Sequence, residues 1–240
     1  MQEITALKVS FDFGNGKNTI YPVVLTDENE IILIDCGYPG FLQYIRSAAE
    51  EEGIDFAGLT KIIITHHDFD HIGALADIKR EYPDITILAS EDDVKYINGL
   101  EKSLRLQQAE ALYDRLPEEE KPEALSFHKL LESVQAVNVD KTVKDGDTFP
   151  WLGGTAIIAT PGHMPGHISI YIKEYKTLVS GDALVVENGE LEIANPNYTL
   201  DMVAAKNSIK KLIDYDIQKI ICYHGGVYTG DIKGALQKLI

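Results

Sequence analysis

Thr65-His-His-Asp-Phe-Asp-His-Ile-Gly73 follows directly on the short apolar run Lys61-Ile-Ile-Ile-Thr65, and it decides how the rest of the chain is read. Three histidines and two aspartates take five of the six positions 66–71, the sixth being Phe69. A brief, unbroken isoleucine run is the pattern of a buried strand, so the polar cluster sits at a strand's end. Imidazoles beside carboxylates suit a borderline or hard divalent cation, which also removes the repulsion between the two acids. A calcium-binding EF-hand is excluded, because the glycine spacing is wrong and Lys79 stands where the bidentate glutamate belongs.

Working outward, three more polar stretches follow apolar runs: Thr160-Pro-Gly-His-Met-Pro-Gly-His167, Ser180-Gly-Asp182 and Tyr223-His-Gly-Gly226. Two of these belong to a repeat. Val23 to Asp35 and Tyr171 to Asp182 share a plan of strand, polar turn and apolar strand ending in aspartate; Lys61-Ile-Ile-Ile-Thr-His66 and Lys219-Ile-Ile-Cys-Tyr-His224 both run Lys-Ile-Ile-x-x-His. The repetition suggests two similar halves that deliver acid and imidazole groups from strand ends to one seam, against the alternative of chance likeness between short apolar strands.

The remaining pattern is mixed α/β. Ile4 to Phe13, Thr19 to Thr26 and Ile31 to Asp35 read as the strands of an opening meander, with reversals at Gly14-Asn-Gly16 and Asp27 to Glu30. Phe41 to Glu52 and Ala74 to Tyr82 read as helices. Residues 90–133 form a helical insertion in which Leu100, Leu104, Leu112 and Leu116 recur at helical spacing and Pro117 and Pro122 break the run. Strands return at Ala156 to Thr160, Ile168 to Ile172, Thr177 to Ser180, Leu184 to Val186, Leu191 to Ile193 and Lys219 to Cys222, and Leu200 to Asp214 is an amphipathic helix. The 240 residues are expected to form one domain, 1–240, with the insertion inside it.

Composition narrows the function. With 22 basic and 38 acidic residues the formal charge is −16, so phosphate backbones and anionic lipids are disfavoured partners and a small-molecule substrate is favoured. No apolar run approaches the roughly 20 residues of a membrane span, and the first ten residues lack a basic n-region and an apolar h-region. Two cysteines, Cys36 and Cys222, make no disulfide framework and fit a reducing cytoplasm. Nothing in the sequence fixes an oligomeric state.

The ordered elements Ile34-Asp-Cys-Gly37, Thr65 to Gly73, Pro161-Gly-His163, Gly181-Asp182 and Tyr223-His-Gly225 resemble those of the metallo-β-lactamase superfamily, in particular its lactonase-like and glyoxalase II-like branches. The resemblance implies a four-layer αβ/βα sandwich, with the helical insertion added. It also implies a first metal held by His66, Asp68 and His163 and a second by Asp70, His71 and His224, with Asp182 bridging. Asp68 departs from the commonest pattern, which has histidine there. Three carboxylates and one hydroxide nearly neutralise two divalent ions, which favours a dinuclear centre. Zinc is the first choice; the extra oxygen ligand keeps iron and manganese open.

The reaction so implied is hydrolysis of a small ester, lactone or thioester by a metal-bridging hydroxide, with Asp70 as ligand and acid/base. The alternatives are a di-iron redox enzyme of flavodiiron type, for which the few residues after His224 leave no flavin domain, and a small phosphodiesterase. Among the neighbours, His67 alternates with ligands and should point away. Asp35 should hydrogen-bond loop backbone or a ligand histidine, and His167 should support the turn of His163. Cys222 should only pack, His128 should be solvated, and Tyr198, Tyr223 and Tyr228 are equal candidates for a leaving-group acid.

Overall fold

A computed structural model describes residues 2–13 and 16–240; the expected reversal at Gly14 and Asn15 lies outside them. In chain order the elements are β1 (Glu3–Ala6), β2 (Val9–Phe13), β3 (Gly16–Ile20), β4 (Val23–Thr26), β5 (Ile31–Ile34), α1 (Leu42–Glu51), β6 (Lys61–Ile64), α2 (Phe69–Ile72) and α3 (Leu75–Glu81). Next come β7 (Thr86–Ser90), α4 (Val94–Ile97), α5 (Leu104–Tyr113), α6 (Lys121–Glu132) and β8 (Lys141–Val143). The rest comprises β9 (Thr148–Phe149), β10 (Thr155–Ala159), β11 (Ile168–Ile172), β12 (Thr177–Gly181), β13 (Val185–Glu187), β14 (Glu190–Glu192), α7 (Met202–Leu212), β15 (Lys219–Cys222), β16 (Gly226–Tyr228) and α8 (Ile232–Lys238).

Two six-stranded sheets, ordered β1-β4-β5-β6-β7-β8 and β16-β15-β12-β11-β10-β9, account for most of the strands. Each central strand is apolar on both faces because each face has something to bury. On β5, Ile32 and Ile34 join a cluster with Ile170, Ile172 and Val179 of the opposite sheet, while Leu33 joins Ile45 of α1 and Leu75 of α3. On β15, Ile221 faces the inter-sheet cluster, while Ile220 and Cys222 pack with Ile209 of α7 and Leu236 of α8. The layers are therefore helix, sheet, sheet, helix, and the unbroken isoleucine runs are the signature of strands covered on both sides. Burying each such side chain contributes roughly 1.5–3 kcal/mol.

The internal repeat is visible in the pairing. In the first sheet β5 runs parallel to β6 with Ile32 opposite Lys61; in the second, β12 runs parallel to β15 with Thr177 opposite Lys219. Each pair thus ends with an aspartate, Asp35 or Asp182, beside a strand that leads to a histidine, His66 or His224.

Several boundaries differ from the sequence-based expectation. Ile4 to Phe13 is two strands: β1 pairs with β4, whereas β2 pairs with β3 in a separate hairpin. Thr19 to Thr26 is likewise divided, at Tyr21-Pro22, where proline has no N–H for a ladder. The meander is therefore interrupted by that hairpin. In the insertion, the leucine spacing does not mark the buried face: Leu100 and Leu112 are exposed, and α5 buries Arg105 and Leu106 instead. Pro122 does not break a helix but lies in the first turn of α6, where a missing N–H costs nothing. The short strands β8, β9 and β16 do not stand out from the sequence pattern, and neither do the five-residue strand β7 and the helix α8, to which the sequence reading assigns no element.

Gly73 ends α2 in ordinary right-handed helical geometry, where alanine would normally be favoured, yet a Cβ there would lie 2.2 Å from the backbone of Tyr38 and Pro39. Gly73→Ala is expected to cost about 3 kcal/mol or prevent folding, whereas Gly16→Ala, which meets nothing within 4 Å, should change little. Urea denaturation midpoints of the two variants provide the measurement.

Candidate metal centre

The polar cluster is anchored by the end of β5. Asp35 has a left-handed backbone, φ 60°, costing on the order of 1 kcal/mol, and its buried carboxylate accepts three hydrogen bonds: Oδ1 from the Thr65 amide at 2.8 Å, and Oδ2 from Thr65 Oγ1 at 2.7 Å and His71 Nδ1 at 2.8 Å. Thr65 Oγ1 also lies 3.1 Å from His66 Nδ1. With the hydroxyl donating to Asp35, it accepts from His66, so both rings present Nε2 to the same space. Asp35 thus meets the expectation that it supports a loop and a ligand histidine.

All seven residues expected as ligands converge. His66, Asp68 and His163 form one group whose ligating atoms lie within 4.8 Å of one another; His66, His71 and Asp182 form a second, and Asp70, His71 and His224 a third. The groups overlap at His66 and His71. Asp182 is central, with Oδ1 3.5 Å from His71 Nε2 and Oδ2 3.5 Å from His224 Nε2 and 3.7 Å from His163 Nε2. Asp70 Oδ2 lies 3.2 Å from His224 Nε2 and 3.8 Å from His71 Nε2.

This donor set fits divalent cations. His66 Nε2, His71 Nε2 and Asp182 Oδ1 are buried with no hydrogen-bond partner, a costly arrangement unless a cation takes their lone pairs. The electrostatics agree. Burial works against charge on His224, but Asp182 and Asp70 outweigh it and push its pKa up to about 10; Asp182, Asp35 and Asp70 likewise raise His71 against its burial. For Asp182, burial is overcome by His224 and His71, which hold its carboxyl well below the usual range. Protons on imidazoles here occupy the role of the cation.

His167 closes the turn of His163, as expected, its carbonyl accepting from the Thr160 amide at 2.9 Å and its amide donating to the Met164 carbonyl at 3.2 Å, and its ring reaches further. A chain of hydrogen bonds runs from His167 Nδ1 to Thr160 Oγ1 at 2.8 Å, from there to Ser169 Oγ at 2.8 Å, and on to the Ser180 carbonyl at 3.0 Å. Since Ser169 donates to that carbonyl, the chain makes His167 Nδ1 a donor and leaves Nε2 to accept from the Asp182 amide at 3.0 Å. Burial, reinforced by His163, lowers its pKa to about 3, so the ring stays neutral as this acceptor role requires. It therefore orients the turn of Asp182. Gly181, at φ 53°, permits the approach, because a Cβ would lie 2.7 Å from His167 Nε2.

His67 points away, stacked on Tyr96 at 4.2 Å with Nδ1 3.0 Å from Asp93. Cys222 is buried, its thiol pushed up to about 12 by burial. Tyr223 is removed from the leaving-group candidates: its buried hydroxyl donates to the Asp70 carbonyl and accepts from the Gly37 amide. His128 is half-buried against Tyr113 at 5.6 Å, so it is only partly solvated.

Two residues were not anticipated. Tyr38 packs on Phe69 at 5.4 Å, and burial together with Asp70 and Asp182 holds its phenol well above the tyrosine range, keeping a neutral hydroxyl beside the centre. Its signal was its place directly after Asp35-Cys-Gly37. Arg105 of α5 is buried against Asp68, with Nε 3.2 Å from Oδ1 and Nη2 2.6 Å from Oδ2; one arginine in a mixed-polarity helix carries no sequence signal. A cavity of about 330 Å³ lies between the insertion and the α2 segment, bounded by His67, Phe69, Tyr96, Lys102, Leu131 and Gln135, but none of the seven residues lines it.

The family model described as the metallo-beta-lactamase superfamily matches residues 16–224, and the chain belongs to that superfamily. It is 30% identical over 232 residues to the probable metallo-hydrolase YflN of Bacillus subtilis (strain 168), covering 88% of this chain and 81% of the relative. A hydroxyacylglutathione hydrolase of Buchnera aphidicola subsp. Schizaphis graminum (strain Sg) is 28% identical over 191 residues, 79% of this chain and 56% of that one. The crystal structure of a metallo-β-lactamase family protein from Thermus thermophilus shares the fold, with TM-score 0.73 and 21% identity over 98% of this chain and 77% of the other. Among the described residues no helix is long and apolar enough to cross a membrane.

A histidine whose pKa rises on folding adds stability that is complete below its unfolded value near 6.5 and disappears as pH rises through the folded value, here about 10 for His224. Metal-free protein is therefore expected to lose thermal stability from pH 7 to pH 10, while protein loaded with divalent metal, whose cation replaces the proton, should not. Scanning calorimetry of both forms checks this; identical pH slopes would contradict it.

Proposed function

We propose that this metal-dependent hydrolase of the metallo-β-lactamase superfamily cleaves a small ester, lactone or thioester at a centre holding two divalent ions, zinc first among them. The observation that supports it most is the set of three overlapping His/Asp groups gathered beyond the ends of β6, β10, β12 and β15, with His224 half-buried and the other six residues buried. His66, Asp68 and His163 would hold one ion, Asp70, His71 and His224 the other, and Asp182, which lies between the two groups, would bridge. Cations so held would lower the pKa of water from 15.7 to about 7 and polarise a carbonyl oxygen.

The chain's own groups do the rest. Asp70 is assigned both ligation and proton transfer, since a carboxylate that ligates through one oxygen has a second within reach of a reacting group. Asp35 and His167 fix the rings and turn that carry His71 and Asp182, so the centre is organised before substrate arrives. The helices of residues 90–133 form one wall: Arg105 touches the centre, and Phe127 of α6 packs on Phe69 at 5.5 Å. The relative named hydroxyacylglutathione hydrolase favours an acyl-transfer substrate of thioester type. The formal charge of −16 disfavours nucleic acid as a partner.

Treatment with a chelator is expected to abolish turnover of a panel of lactones, thioesters and aryl esters, and added zinc to restore it. Asp70→Asn should lower kcat by at least about 100-fold. Turnover that survives complete metal removal, verified by elemental analysis, would refute the proposal; oxygen consumption by protein loaded with iron would redirect it to redox chemistry.

A further inference from the structure

Asp68 stands in the metal-ligand group with His66 and His163, yet it is the carboxylate of the centre that already has a fixed partner of opposite charge. Arg105 donates to both its oxygens, at 3.2 Å and 2.6 Å, and Arg105 Nη2 is 3.4 Å from His163 Nε2. The guanidinium cannot readily swing aside. Its Nη1 donates to Gln108 Oε1 at 2.8 Å, its Nη2 to the Tyr198 carbonyl at 2.9 Å, and the Tyr198 ring lies 5.5 Å away. The residue is 4% exposed, so water screens it poorly. Asp70 and Asp182, by contrast, form their ion pairs with histidines.

From this asymmetry, and resting on the dinuclear reading above, we infer that Arg105 is a positioning residue that makes the two metal sites unequal: it fixes Asp68 and cancels its charge. The His66/Asp68/His163 site then offers an incoming cation no net negative charge of its own, because the one positive charge of Arg105 offsets the one negative charge of Asp68. The Asp70/His71/His224 site keeps its carboxylate free of any such permanent cation and shares Asp182. The second site fills first and holds its ion more tightly; the first fills later and exchanges. Guanidinium remains charged at any pH the protein tolerates, so the inequality is built in and not titratable.

Titration of metal-free protein with Zn²⁺ by calorimetry, paired with elemental analysis after gel filtration, tests the inference. The full chain should take up two ions in steps at least tenfold apart in affinity and keep one after filtration. Asp68→Asn should lose the weak step and retain the tight one. Arg105→Gln should tighten the weak step at least tenfold and shift the tight step less than threefold; Arg105→Lys, which keeps the charge, should preserve the two-step pattern and shows that any change in the glutamine variant reflects charge. Two ions of equal affinity in the unmodified chain, or a weak step that loosens in Arg105→Gln, would overturn the inference while leaving the metal-dependent reading standing. Failure of the unmodified chain to bind Zn²⁺ at all would overturn both.

Discussion

Three carboxylates, Asp68, Asp70 and Asp182, are buried together, and the structure depends on positive charge to balance them. Without it each would have to take up a proton or leave the interior, because an uncompensated buried carboxylate costs several kcal/mol. Four imidazoles and one guanidinium supply what the protein itself can. The same carboxylates raise the pKa of both His224, which is half-buried, and His71, which is fully buried, so both rings are drawn toward their protonated forms. A site that draws protons onto the nitrogens needed as ligands is one in which a divalent cation and those protons compete for the same position.

The fold meets this demand by symmetry of construction. Parallel pairs β5/β6 and β12/β15 sit in the two facing sheets, and each pair ends in the same way, with aspartate on one strand and histidine beyond the other. The resulting roles are not symmetric. Asp35 turns back to hold Thr65 and His71, whereas Asp182 faces inward and is itself held by His167 through its amide. One half supplies an orienting acid and the other a central one.

Much of this was legible from sequence because the chemistry needs few residue types at fixed distances from strand ends. The Thr65 to Gly73 cluster, the Lys-Ile-Ile-x-x-His repeat and the double-sided apolar strands specify the layers and bring the seven ligand candidates to one seam. What escaped lacks such a pattern. β2 separates from β1 because alternate residues Leu7, Val9 and Phe11 stay buried through a change of sheet, which periodicity cannot distinguish from one long strand. The insertion misled for a related reason: its exposed leucines mimic a core stripe, while its decisive buried residue is charged.

Arg105 also explains why a helical insertion should touch the centre at all. Ser103 caps α5 by accepting from the Leu106 amide, which places Arg105 in the first turn, close to the helix's fixed origin. From there it reaches Asp68 on one side and the Tyr198 carbonyl on the other, so three separate stretches of chain meet at one guanidinium. Because four of its N–H contacts go to partners within the protein, the group serves as a strut more than as a free hand for substrate. A displacement of α5 would strip Asp68 of its partner and change the charge that a cation meets. The insertion is thereby tied to the electrostatics of the centre through Arg105.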